Sequence, residues 1–193
     1  MTAHNYQLKI ELKRSKPKIW RRIVVPADLL LSDLHKVLQT VMGWENAHLH
    51  QFIKGEKYYS KRHEDDDFWD DHLNVDYTGL TVSDLLDKEK DRIIYEYDFG
   101  DGWEHDVLLE KVMEDDKGLV VPLCTGGKMS CPPEDIGGVW GYEQMLEIIK
   151  QPGHAEYESY LEWLGGDFDP TLFDLEEVNH LLKEEDFGCI DLF

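Results

Sequence analysis

Residues 92–110, RIIYEYDFGDGWEHDVLLE, alternate apolar and polar side chains on both sides of Gly100-Asp101-Gly102. Period-2 alternation marks strands with one buried face, and a Gly-containing break between two such runs marks a hairpin. A three-residue loop with Gly102 in the left-handed conformation places Phe99 opposite Trp103, Tyr97 opposite His105 and Tyr95 opposite Val107, all on one face. A two-residue Asp-Gly loop would place Phe99 opposite Glu104 and mix the faces. In the three-residue register the other face sets Asp98 against Glu104 and Glu96 against Asp106. Like charges in such positions need a positive neighbour, such as Lys9 of the first strand, a divalent cation or a basic partner. The aromatic face reads as core, with His105 a partly buried histidine beside Tyr97.

The same alternation recurs upstream. YQLKIEL (6–12) and IWRRIVV (19–25) form a hairpin around Lys16-Pro17-Lys18 that ends at Pro26. Ser32 reads as the N-cap of a helix carrying Leu34, Val37, Leu38 and Val41, which Gly43 stops. LHQFI (49–53) and EKYYS (56–60) read as strands, and Thr81 with Asp84 as a capping box. The 122–141 segment, PLCTGGKMSCPPEDIGGVWG, is rich in Gly and Pro and reads as an irregular ordered loop. Beyond it come three helical stretches, ending before Pro152, ending at Gly165, and capped by Asp174 with Glu177.

This order predicts an α+β fold: a mostly antiparallel sheet crossed by a helix, β-grasp-like, with a helical C-terminal portion. Residues 1–121 make the sheet core and end in the 92–110 hairpin. Residues 122–193 add the Gly/Pro-rich loop and the C-terminal helices, packed on the same core as a single domain.

Charge narrows the function. Forty-one acids against twenty bases give a formal net charge of −21, so duplex nucleic acid is not an expected partner. Bases gather in KIELKRSKPKIWRR (9–22), which leaves room for a small anion, while the acidic balance suits a basic protein partner or a divalent cation. No apolar run is long enough for a membrane span and the N-terminus lacks a signal-peptide core, which predicts a cytoplasmic protein. Three cysteines, an odd number, fit reduced thiols.

Motif spacings exclude several chemistries. Gly126-Gly127-Lys128 lacks the first glycine and the hydroxyl of a phosphate loop, and no acidic run matches the calcium-loop pattern. Cys124 and Cys131 have no second ligand pair for zinc. What remains is a set of carboxylates where Gly, Pro and acids coincide. The candidate acidic site comprises Asp98, Asp101, Trp103, His105, Asp106, Glu134, Asp135, Asp167 and Asp169. On this reading CPPEDIGG and GGDFDP meet at the hairpin end and bring Asp101, Glu134 and Asp167 into one pocket. The alternative is that these acids only cap turns and bond loop amides.

KIWRRIVVP, LSDLHKVLQTVMGW, YDFGDGWEH, CPPEDIGGVWGY and LEWLGGDFDPTLFDLEEVN together resemble the plasmid pRiA4b ORF-3-like family. The likeness spans nearly the whole chain; the acidic stretch Glu64–Asp71 is its least family-like part. It implies a small stand-alone α+β protein of prokaryotes without an assigned activity. Members are sometimes labelled insertion-element passengers and likened to resolvases, but no nucleophilic serine in an Arg-rich site and no basic DNA-binding arm is visible. Two functions stay open: a binding module, accessory to mobile-element proteins and using its acidic surface for a basic partner, or a metal-dependent hydrolase built on the carboxylate/His cluster at 97–106.

In a mobility-shift assay at physiological salt the protein should not bind duplex DNA non-specifically, because so few phosphates can be neutralised. Micromolar, salt-sensitive binding would restore the recombination reading.

Overall fold

The structure, a computed structural model, describes residues 4–62, 69–114 and 119–190. Most of the acidic Glu64–Asp71 stretch lies outside the described residues. The chain runs β1 (His4–Leu12), β2 (Trp20–Pro26), α1 (Leu31–Met42), β3 (His50–Lys54), β4 (Lys57–Ser60), β5 (Asn74–Asp76), α2 (Val82–Leu85), β6 (Arg92–Tyr97) and β7 (Trp103–Glu114). It continues through β8 (Leu123–Lys128), α3 (Gly138–Ile148), α4 (Tyr157–Trp163) and α5 (Leu175–Leu181). One eight-stranded sheet has the order β5-β4-β3-β6-β7-β1-β2-β8, antiparallel except where β4 meets β5. The fold is α+β, as the alternation predicts, with helices following the sheet.

Alternation sorts the two faces. Tyr6, Leu8, Ile10 and Leu12 from β1, and Trp103, His105, Val107 and Leu109 from β7, are all buried. They share one core with Leu34, Val37, Leu38 and Val41 of α1 and with Tyr142, Met145 and Leu146 of α3. The opposite face carries cross-strand ion pairs: Arg22 with Glu110 at 2.7 Å, Lys13 with Glu104 at 2.5 Å, and Arg92 with Asp106. Arg21 instead points inward, fully buried. Its guanidinium donates to the carbonyls of Val41, Trp20 and Lys128 and lies 4.1 Å from the centre of the Phe173 ring.

Three local expectations change. Ser32 is not the N-cap of α1: the helix starts at Leu31, and the preceding Leu30 makes no side-chain cap. Backbone pairing sets this entry, because Leu31 N–H donates to the Leu80 carbonyl and Leu30 bridges Thr81. Gly43, at φ 96°, does end the helix, and the Thr81–Asp84 capping box is present.

The hairpin register moves by two. Tyr97 opposes Trp103 and Tyr95 opposes His105, so the loop spans residues 98–102 rather than three residues. Phe99 leaves the strand and is half exposed. The cause is Asp98, whose Oδ1 accepts the Gly100 N–H at 2.9 Å while its carbonyl accepts the Gly102 N–H at 2.6 Å. An aspartate that bonds the amide two residues on makes its own turn and ends the strand early. Gly102 has positive φ, as expected, and a shift of two keeps the side chains that remain in the strands on their predicted faces. The like-charge pair is therefore Glu96 against Glu104, while Ile94 faces Asp106. Lys13 and Arg14, rather than Lys9, neutralise Glu104, and Lys9 pairs with Glu11.

The third change is β8. Residues 123–128, expected in a loop, pair with β2 and form an edge of the sheet. Asn179 of α5 covers that edge by bonding both backbone groups of Cys124, accepting its N–H and donating to its carbonyl, each at 2.8 Å. Its amide takes the place of another strand.

Asn179→Ala should therefore destabilise the protein by about 2 kcal/mol, because two backbone groups lose their partners. Urea unfolding should show a lower midpoint at an unchanged slope.

Candidate functional site

Tyr97 is the last residue of β6, and His50 pairs with it across the sheet. The next backbone bond, Asp98 N–H to the Leu49 carbonyl at 2.9 Å, sets Asp98 beside the segment leading into β3. That segment, residues 43–48, is held from several directions. Asn46 N–H donates to Gln39 Oε1, Asn46 Oδ1 lies 2.8 Å from His35 Nε2, and Ala47 N–H donates to the Tyr97 hydroxyl. Trp44 Nε1 donates to the Pro132 carbonyl, which ties the segment to the CPPEDIGG loop.

The loop then crosses the hairpin end. Glu134 Oε1 accepts hydrogen bonds from Glu45 N–H and from the Tyr97 hydroxyl, each at 3.0 Å. Asp101 Oδ2 accepts the Gly137 N–H at 3.0 Å. A Cβ on Gly138 would stand 2.5 Å from the Asp101 carbonyl oxygen, so only glycine allows this approach. The predicted meeting of hairpin and loop thus exists, with Asp101 as its clasp.

Four side chains converge there. His48 Nε2 lies 3.3 Å from Asp135 Oδ1, 3.7 Å from Glu134 Oε2 and 3.8 Å from Asp98 Oδ2. His48 Nε2 and Glu134 Oε2 are both shielded from solvent, and neither has a hydrogen-bond partner. The donor atoms of His48, Asp98 and Asp135 all fall within 4.8 Å of one another, the spacing of a shared ion. Asp98 is buried and Asp135 exposed. Burial, the largest influence on Glu134, holds its acid above the usual carboxylate range.

The remaining candidates lie elsewhere. Trp103 and His105 point into the core and are fully buried. Asp106 is on the far face of the sheet, paired with Arg92. Asp169 accepts bonds from the Thr171 N–H and hydroxyl, a turn-capping role. The carbonyls of Asp169 and Pro170 tie GGDFDP to Ser130, but neither the Asp169 carboxylate nor that of exposed Asp167 joins the cluster. The shared pocket of Asp101, Glu134 and Asp167 is therefore corrected to His48, Asp98, Glu134 and Asp135. Sequence reasoning missed His48. Its signal was NAHLH beside a strand that pairs with the end of β6.

A sequence model of the plasmid pRiA4b ORF-3-like proteins matches residues 4–177. The chain belongs to that family. An uncharacterised protein of Sinorhizobium fredii, y4hQ, is 35% identical over 185 residues, covering 95% of this chain and 93% of the relative. The crystal structure of MM3350 from Methanosarcina mazei Go1, a protein of unknown function, is 39% identical with a TM-score of 0.81. That match covers 92% of this chain and 98% of the other. Among the described residues no helix is long and apolar enough to cross a membrane.

His105 gives the site's surroundings a measurable signature. Burial, the dominant cause, lowers its pKa from 6.5 to about 4. Between those values the unfolded chain takes up a proton that the folded chain refuses. Stability present at neutral pH is then lost as pH falls through 6.5, levelling off below about 4. At about 1.4 kcal/mol per unit, His105 accounts for a loss of about 3 kcal/mol. Urea titrations between pH 7 and pH 4 should show the fall, and His105→Leu should make it about 3 kcal/mol smaller, while buried His50 still contributes a fall of the same sign.

Proposed function

We propose that the protein is a binding module for a divalent cation, held by His48, Asp98, Glu134 and Asp135. The observation that carries this reading is the solvent-shielded pair His48 Nε2 and Glu134 Oε2, unpartnered and facing each other at 3.7 Å among further carboxylate oxygens. Buried polar atoms are seldom left unpaired, and an ion would satisfy both at once. An imidazole with carboxylates suits Mn²⁺ or Zn²⁺ better than soft, thiolate-seeking ions. A hydrolytic use of the ion is a second reading, favoured because His48, Asp98 and Asp135 offer three donors and leave the ion positions for water. An accessory role beside mobile-element proteins draws support only from the plasmid in the family's name.

Calorimetric titration of the metal-free protein with Mn²⁺ and with Zn²⁺ should give micromolar binding. His48→Ala or Asp98→Asn should weaken it at least tenfold, on the order of the cost of disturbing a metal's shell, while Asp106→Asn leaves it unchanged. No binding of either ion would reduce the cluster to an internal ion-pair network. Turnover of a chromogenic ester by the Mn²⁺-loaded protein, absent in His48→Ala, would select the hydrolytic reading.

A further inference from the structure

The end of the sheet that carries the cluster also carries large apolar side chains in the open. Leu49 is 63% exposed, Phe99 50% and Trp140 81%. Hydrogen bonds bring the three stretches of chain that carry them to the same end of the sheet. The Leu49 carbonyl takes the Asp98 N–H, Phe99 follows Asp98 in the hairpin loop, and the start of α3 is clasped to that loop through Gly137 and Asp101. Trp140 stands on the first turn of α3, with Glu143 and Gln144 at helical spacing on the same side. An isolated exposed apolar residue needs no explanation, but three around one loop end mark an interaction surface.

Charge identifies what would cover it. Asp135, exposed by 74% at its side chain, shares His48 with Asp98, Glu45 is bonded to Glu134 through its N–H, and Glu143 follows Trp140 by three residues on α3. The whole chain carries a net charge of −21. A negative rim around an open indole repels acidic chains and favours a cation laid on the ring face.

We propose that Leu49, Phe99 and Trp140 form a docking surface for an arginine-rich segment of a basic partner protein, with Trp140 as its anchor. Guanidinium groups stack on the indole and meet the surrounding carboxylates, and apolar residues between them cover Leu49 and Phe99. Tryptophan is among the residue types that dominate interface energetics, and the acidic field speeds encounter. Leu49, Phe99 and Trp140 are not among the residues proposed to hold the cation, so the two readings can be tested apart.

The probe is a fluorescein-labelled peptide alternating arginine and leucine, followed by anisotropy at physiological salt. The native protein should bind it, and Trp140→Ala should weaken binding about tenfold or more, the size of an interface hot spot. Because Trp140 is exposed, the variant should keep its melting temperature and its Mn²⁺ titration. Equal binding by the native protein and Trp140→Ala would show that net charge alone attracts the peptide and would overturn the proposal. Equal affinity for a peptide alternating arginine and glycine would overturn the apolar half of it. Self-association of the native protein in sedimentation, lost in Trp140→Ala, would assign the surface to a second copy of the chain instead.

Discussion

The Tyr97 hydroxyl holds together the three segments on which the candidate site depends. It accepts the Ala47 N–H at 2.9 Å and donates to Glu134 Oε1 at 3.0 Å, from the last position of β6. The sheet fixes Tyr97, Tyr97 fixes the entry to β3, and the same hydroxyl orients the Glu134 carboxylate. With Oε1 taken twice, by Tyr97 and by Glu45 N–H, Glu134 Oε2 can only turn toward His48. Burial and the neighbouring Glu134 charge both raise the Tyr97 pKa, so the phenol stays a donor at any physiological pH.

Behind that hydroxyl lies a buried polar layer that a purely apolar core would not need. His35 and His50 stack with ring centres 3.4 Å apart, and the Tyr95 hydroxyl accepts from Gln39 and lies 2.8 Å from His35 Nδ1. His50 Nε2 lies 2.9 Å from the Tyr77 hydroxyl. Burial, with His35 close by, drives the His50 pKa well below its ordinary value and keeps that ring neutral. Hydrogen-bonded polar groups in a core are directional where apolar contacts are not. Here they set the path of residues 43–48, which deliver His48 to the site.

What the sequence made legible follows from the range of the forces involved. Alternation over β1, β6 and β7 identified strands and their buried faces, because burial acts residue by residue. The Thr81–Asp84 box and the Gly43 stop were legible because each is closed within a few residues. The hairpin register was not, because the Asp98 side chain competes with the ladder and alternation cannot see a shift of two. β8 was hidden by its glycines: its pairing with β2 and its cover by Asn179 come from segments distant in the chain. For the site, the meeting of hairpin and loop could be read from where Gly, Pro and acids coincide. His48 could not, because only the folded sheet puts it beside Glu134.

The choice of residues in the cluster separates what the backbone requires from what it does not. Asn46, Asp98 and Asp135 all have positive φ, at 55°, 54° and 55°. Short polar side chains tolerate that left-handed region, and asparagine does so as well as aspartate. Asn46 shows the neutral solution: it takes the same conformation and spends its side chain on His35 and the Ile190 carbonyl. At Asp98 the bond to Gly100 N–H needs only one oxygen, which an asparagine would also supply. Backbone conformation therefore accounts for an Asx residue at 98 and 135 but not for a charge at either. Two carboxylates next to Glu134 repel one another and gain nothing for the turn. A positive charge placed among them would offset that repulsion. A divalent ion held by these residues, as proposed above, would bring the three carboxylates closer to neutral.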